Sequence, residues 1–377
     1  MDFSFNADQT SLGETVGKVL ADHAALLAPE PEPAHQSAAW DALAELGLFA
    51  LLVPEEFGGA GLALVDVALA VEALGAGLAP PTAVATLAAT DLLVRHGSES
   101  QQRELLPQIA RGEVKFAIAA LEADQGYNPE GVNCSLSGGS LRGSKILVAG
   151  AAAAKFLLVL AQSSSGPVLL LVKRETPGVT LRRHDDLDPA SGFCAVSFKD
   201  VRLEVDALLG TATPACAVAR LLDVGATLNA GLLTGIATRM LETSVEYAKT
   251  RNQFGQPIGA FQAIKHRCAD MAVALEAARS TAYYAFWAIS EDAPDSARAA
   301  SMAKSCCGES ARMICNESIQ VHGGMGFTWE LGLHRFLRRA RVLEYAFGDA
   351  AWHNERVLAE TLTSLTMERD GLALAAQ

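Results

Sequence analysis

Hydrophobic periodicity changes twice along this chain, and that change constrains the fold more than any other feature. Up to about residue 112 the apolar positions repeat at helical spacing, as in Leu12, Val16, Val19 and Leu20, and again in Trp40, Leu43, Leu46 and Leu48. Pro80-Pro81 and Gly97 punctuate Ala-rich helices in this part. From about 113 to 210 short apolar runs replace them: Phe116–Ala120, Phe156–Leu160 and Val168–Val172, each bounded by Gly, Ser or Pro. Cys194-Ala195-Val196-Ser197-Phe198 alternates in the same region, as a half-buried strand does. Helical spacing returns after 215, with expected helices over Leu221–Arg251, Phe261 to about Ser290, and Ala297–His322. The pattern predicts a mainly α protein with a central β domain. Its parts are an N-terminal helical domain (1–112), a β-barrel-like middle domain (113–212) and a C-terminal four-helix bundle (213–377).

The chain has 377 residues, half of them apolar, which is enough for substantial cores. Thirty Lys and Arg against 43 Asp and Glu leave a net charge of -13. Nucleic acid is therefore not an expected partner, because phosphate contacts need clustered cations. The run from Arg335 to Arg341 is short and reads as one helix face. Seven cysteines at positions 134, 194, 216, 268, 306, 307 and 315 show neither metal-ligand spacing nor a disulfide framework. With no signal peptide and no convincing membrane span, the expectation is a cytoplasmic protein. Cys306-Cys307 reads as small buried hydrophobes, and His184-Asp185-Asp186 as surface; no metal is expected.

Two segments carry the functional signal. One is Arg251-Asn252-Gln253-Phe254-Gly255-Gln256-Pro257-Ile258-Gly259-Ala260-Phe261-Gln262, and the other Gln320-Val321-His322-Gly323-Gly324-Met325-Gly326-Phe327. Arg251 offers a planar fork of charge-assisted donors suited to a diphosphate. Gln253, Gln262 and Gln320 are neutral polar contacts, Phe254 is an apolar surface, and Gly323-Gly324 permit close backbone approach. The two segments resemble the C-terminal signatures of the acyl-CoA dehydrogenase family, and Leu52–Leu62 resembles a turn of the same family. The resemblance implies FAD as cofactor, an acyl-CoA thioester as substrate, and an electron-transfer acceptor. It also implies that these residues hold the adenine and diphosphate end of an FAD bound mainly by a neighbouring subunit.

The family's chemistry needs a carboxylate to take the α-proton of the thioester, a flavin to accept hydride from the β carbon, and donors that polarise the carbonyl. By resemblance the usual base position, a Glu before a Gly, falls on Phe347 in Val342–Asp349. The position used by a second subset, at the start of the helix before Arg251, falls on Gly225, followed by Ala226 where a substrate-contacting Arg often stands. Neither accepts a proton; Glu344 and Asp349 are the nearest substitutes. The family's flavin-ring segment, Thr-Glu-Pro-x-x-Gly-Ser-Asp, matches Ala120–Pro129 only at Glu122, its hydroxyls being absent, and Leu147-Val148-Ala149 replaces a Trp-Ile-Thr/Ser segment. Tyr127 either fills space beside that ring or simply packs its loop. His322 is given no catalytic role.

The expectation is one subunit of a heteromeric (α2β2) enzyme of the bacterial steroid side-chain type, completing in trans the FAD site of a base-bearing sister chain. The rival readings are a self-sufficient homotetramer with a displaced base, and a non-catalytic homologue.

Overall fold

The computed structural model describes residues 5–23, 26, 33–204, 206–210 and 213–375, with side chains to residue 365. The expected domain limits at 1, 212 and 377 lie outside the described residues. The chain divides into two compact units, Met1–Gly225 and Ala226–Gln377.

The first unit begins with helices α1 (Ala7–Asp22), α2 (Pro33–Glu45), α3 (Ala68–Ala76), α4 (Pro81–His96) and α5 (Glu99–Ala110). Asn6 starts α1 with a reciprocal cap: its side chain accepts the Gln9 N–H while Gln9 accepts the Asn6 N–H. Val16 and Leu20 are the positions that α1 buries. In α2 Trp40 stacks on Phe49 at 3.9 Å and donates its indole N–H to Gly112 O at 2.9 Å, so the large ring is buried with its one polar group satisfied. The Pro pair begins α4 rather than breaking a helix, since Pro81 at the first helical position loses no bond.

An eight-stranded sheet follows: β1 (Phe116–Ala119), β2 (Ser135–Ser137), β3 (Ser140–Val148), β4 (Phe156–Ser163), β5 (Gly166–Lys173), β6 (Val179–Arg183), β7 (Cys194–Arg202) and β8 (Leu208–Leu209). The order is β6-β7-β3-β2-β4-β5-β8, with β1 parallel to β4. Six consecutive residues of β4 are buried, which is why it reads as an unbroken apolar run. Strand β3 alternates with charges, Arg142 out and Lys145 in, and escaped the apolar reading for that reason. The unit ends in the first turns of α6 (Pro214–Thr250), where Arg220 makes two 2.8 Å bonds to Asp91.

The second unit holds the rest of α6, a hairpin of β9 (Asn252–Gln253) and β10 (Gln256–Pro257), and helices α7 (Gln262–Ser290), α8 (Ser296–His322), α9 (Leu333–Tyr345) and α10 (Ala350–Ala375). Polar bonds fix helix pairing where Ala and small residues dominate. Arg279 of α7 donates to Thr238 of α6 at 3.0 Å, and Ser244 of α6 to Ser318 of α8 at 2.7 Å. By length and composition α6 could cross a membrane, but 72% of its most apolar window is buried inside the protein. Its apolarity belongs to the core.

Candidate cofactor site

The Arg251 segment begins where α6 ends. The Arg251 N–H still bonds Tyr247 O at 2.8 Å, and Arg251 O accepts the Ile258 N–H at 2.8 Å, closing the hairpin. Phe254 and Gly255 form its turn, at φ 52° and 80°. Two successive positive φ values match a two-residue hairpin turn, in which glycine is comfortable and phenylalanine is not. Phe254 is nevertheless 92% exposed, its ring meeting the edge of Phe261 at 6.1 Å. Arg251, Gln253 and Gln262 are exposed on the same segment.

The second segment begins where α8 ends. His322 stacks on Tyr247 at 4.3 Å, and its Nδ1 donates to Ser318 O at 2.7 Å. This contact, with Ser244–Ser318 one turn earlier, brings the ends of α6 and α8 together, so both signatures emerge at one end of the unit. His322 is 4% exposed and burial lowers its pKa, which makes it a neutral strut. Gln320 just before it and Gly323 and Gly324 just after it are exposed. Gly323 takes φ 58°, ψ -134°, a conformation restricted to glycine. A Cβ on Gly324 would meet nothing of this chain within 4 Å, so the bare backbone there is open to an approaching group.

At the two positions where the sequence resemblance expects a base, the structure holds no carboxylate. Gly225 and Ala226 are buried within α6. Phe347 is 9% exposed at φ 60° in the turn between α9 and α10, followed by Gly348 at φ 105°. That turn is held through its carbonyls. Lys304 of α8, 1% exposed, donates to Glu344 O at 2.7 Å and Gly348 O at 2.9 Å, and His353 Nε2 donates to Phe347 O at 3.0 Å. Burial pushes the Lys304 ammonium down to about 7 against the opposing pull of Cys307, Glu344 and Asp349. Burial, with Lys304 and Arg356 nearby, takes His353 down to about 3. The substitute carboxylates are both engaged: Glu344 pairs with Arg341 and, at 3.3 Å, with Arg312, while Asp349 caps α10 by accepting the Trp352 N–H at 2.9 Å.

In the first unit, Glu122 is a structural anchor. It is 6% exposed and accepts the N–H groups of Asn133 and Cys134 at 2.8 and 2.9 Å. It also pairs at 2.6 Å with Lys145, whose side chain is fully buried. Sequence reasoning missed Lys145; a lone cation interrupting the apolar face of a strand was the available signal. Burial would raise the Glu122 carboxyl, but the Lys145 bond and the two N–H donors hold it below its ordinary value. Tyr127 is half-buried in the adjoining loop. Leu147, at φ 49° and 44% exposed, sits at a register shift between β3 and β7.

Elsewhere, no three metal-ligating side chains come together among the described residues, and Asp186 accepts the Asp188 N–H within its own loop. Of the cysteine pair expected to be buried, Cys307 is buried with its thiol pushed up to about 12, while Cys306 is half-buried. The Arg335–Arg341 run, expected on one helix face, is divided by burial: on α9, Arg335 and Arg339 are buried at 9% and 6% exposure at i and i+4, while Arg338 and Arg341 are half-buried.

Comparison with known proteins matches residues 6–113 to the acyl-CoA dehydrogenase N-terminal domain and residues 216–362 to the acyl-CoA dehydrogenase C-terminal domain. The chain is 33% identical over 372 residues to the probable acyl-CoA dehydrogenase YngJ of Bacillus subtilis, covering 93% of this chain and 97% of that one. Its fold is similar to butyryl-CoA dehydrogenase of Megasphaera elsdenii, with a TM-score of 0.86 and 25% identity over 96% of this chain and 100% of that chain. It is also similar to a chain of the ChsE4-ChsE5 complex of Mycobacterium tuberculosis, with a TM-score of 0.85 and 25% identity over 96% and 99%.

Proposed function

The chain belongs to the acyl-CoA dehydrogenase family, and on that premise we propose that it completes, in trans, the FAD site of a catalytic sister subunit in a heteromeric enzyme. The cofactor is FAD, which supplies the hydride acceptor for α,β-dehydrogenation of an acyl-CoA. One observation carries the reading: both base positions are apolar and both nearby carboxylates are already bonded, while the adenine-end ligands stand exposed at one end of a unit. In this reading Arg251 bonds the diphosphate, Gln253, Gln262 and Gln320 give polar contacts, and Phe254 covers an apolar face. Gly323 and Gly324 let the cofactor approach the backbone. The sister chain brings the glutamate and the flavin-ring contacts.

Similarity to a chain of the ChsE4-ChsE5 complex supports a two-chain assembly. By the resemblance of the sequence, the substrate class we infer is a bulky acyl-CoA such as a steroid side-chain thioester. Electrons leave to an electron-transfer acceptor, and the domain limits follow the three-part order 1–112, 113–212 and 213–377.

Arg251→Met tests the trans role. Loss of a charge-assisted phosphate contact weakens FAD binding to the assembled enzyme by roughly 10- to 100-fold, equivalent to about 1.5–3 kcal/mol. An unchanged flavin affinity contradicts the assignment. For the base, the lone chain mixed anaerobically with an acyl-CoA and FAD leaves the visible flavin band unbleached. Bleaching that disappears in Glu344→Gln or Asp349→Asn would instead establish a displaced base.

A further inference from the structure

The amino end of α9 carries positive charge that the described residues do not balance. Gly332 caps the helix without a side-chain bond, and the first turn contains no acidic residue. The Leu333 and His334 N–H groups have no acceptor among the described residues. A helix start is already a positive pole that favours anions, yet the cations Arg335 and, one turn on, Arg338 occupy it here, with the His334 imidazole beside them.

Arg335 is the telling group. It is 9% exposed, its Nε is buried without a hydrogen-bond partner, and no carboxylate pairs with it among the described residues. Its guanidinium lies back across the helix start, since a Cβ on Gly332 would sit 3.3 Å from Nη2 and 3.4 Å from Cζ. His334 Nε2 is likewise buried and unpartnered. Besides burial, the neighbours that lower the pKa of Arg335 and His334 are cations: Arg338 for both, and Arg335 for His334. A guanidinium cannot shed its proton to escape such a setting, so an anion is what relieves it. Arg220, whose side chain is also largely buried, has that relief in Asp91.

We propose that the amino end of α9 is a binding site for one oxyanion group, phosphoryl or carboxylate, gripped by Arg335, His334 and the first-turn N–H groups. Trp329, 56% exposed, walls it, with His334 edge-on at 4.5 Å and the Arg338 guanidinium 5.7 Å over its ring. The site shares no residue with the Arg251 segment and does not depend on the FAD reading. The anion comes either from a small molecule or from an acidic side chain of another subunit.

Thermal unfolding of the full chain in rising inorganic phosphate, at ionic strength matched with sodium chloride, tests the proposal, with sedimentation velocity in parallel. The wild type and Arg251→Met show a saturable rise, roughly 5 °C at a hundredfold excess over Kd. Arg335→Met shows none, and without phosphate it melts no lower than the wild type, because a buried unpaired charge has been replaced by an apolar group. Arg335→Lys, which keeps the charge and loses the fork, retains a weakened response. A rise with unchanged sedimentation identifies a small-molecule anion. A response in which phosphate dissociates an assembly that Arg335→Met also disrupts identifies a subunit carboxylate. Equal responses in the wild type and Arg335→Met overturn the site, as does a wild type that neither responds nor changes assembly on Arg335→Met. A marked drop in the melting temperature of Arg335→Met without phosphate also overturns it.

Discussion

Replacing Glu122 by Gln is expected to lower the stability of the protein by about 3–5 kcal/mol, the usual result of leaving one member of a buried ion pair unpaired. The substitution hardly changes shape, so the loss isolates charge from packing. In the wild type the carboxylate serves three donors at once: Lys145 Nζ and the N–H groups of Asn133 and Cys134. Gln can still accept, but it cannot neutralise an ammonium whose side chain is fully buried and whose other bond goes to Ala120 O at 3.2 Å. The pH dependence has a fixed sign. The Glu122 carboxyl lies below its ordinary value in the folded chain, so the stability it contributes is complete above about 4.5 and is lost as pH falls through the folded pKa. Denaturant titrations across pH 3–7 therefore show the gap between wild type and Glu122→Gln closing on the acid side. A gap below about 0.5 kcal/mol at pH 7 means that Lys145 finds another counterion or water.

Lys304→Met is the second large effect. It removes both donors from Glu344 O and Gly348 O, in a turn also held by His353 to Phe347 O and by the Gly348 N–H to Tyr345 O. Two unsatisfied carbonyls cost about 2–5 kcal/mol, partly offset by no longer burying an ammonium. The pH dependence has the same sign as that of Glu122 but falls in a higher window. Burial lowers Lys304 to about 7 from an ordinary 10.5, so between those values the unfolded chain binds the extra proton. Stability contributed by Lys304 thus rises as pH increases from 7 toward 10.5. The deficit of Lys304→Met is smaller at pH 7 than at pH 9, read as denaturant midpoints in matched buffers. A deficit that stays constant across that range contradicts a lysine that loses its proton inside the fold. Because Phe347 lies in this turn, the variant also tests whether the turn's shape matters to the assembled enzyme.

The element pattern was legible where local physics and burial agree. Buried Val16 and Leu20 on α1, the unbroken apolar run of β4, and the alternation of β7 all follow from simple periodicity. What stayed hidden was the use of cations inside the protein. From the sequence Lys145 and Lys304 draw no reading and Arg335 reads only as part of one helix face, because nothing local reveals a partner 23 or 40 residues away, or the lack of one. The two signature segments could be recognised as text, but not the Tyr247–His322 stack that brings their helices together. Counting along the chain placed Phe347 and Gly225 at the base positions. It could not supply the reason that Glu344 and Asp349 make poor substitutes, which lies in Arg312, Arg341 and the start of α10.

The most direct test of the trans role is flavin stoichiometry, measured on the chain purified alone and then co-expressed with a base-bearing sister dehydrogenase chain. The account predicts little flavin in the lone chain and about one FAD per pair of chains in the complex, reduced by an acyl-CoA. One FAD per chain in the lone protein, bleached by an acyl-CoA, contradicts it.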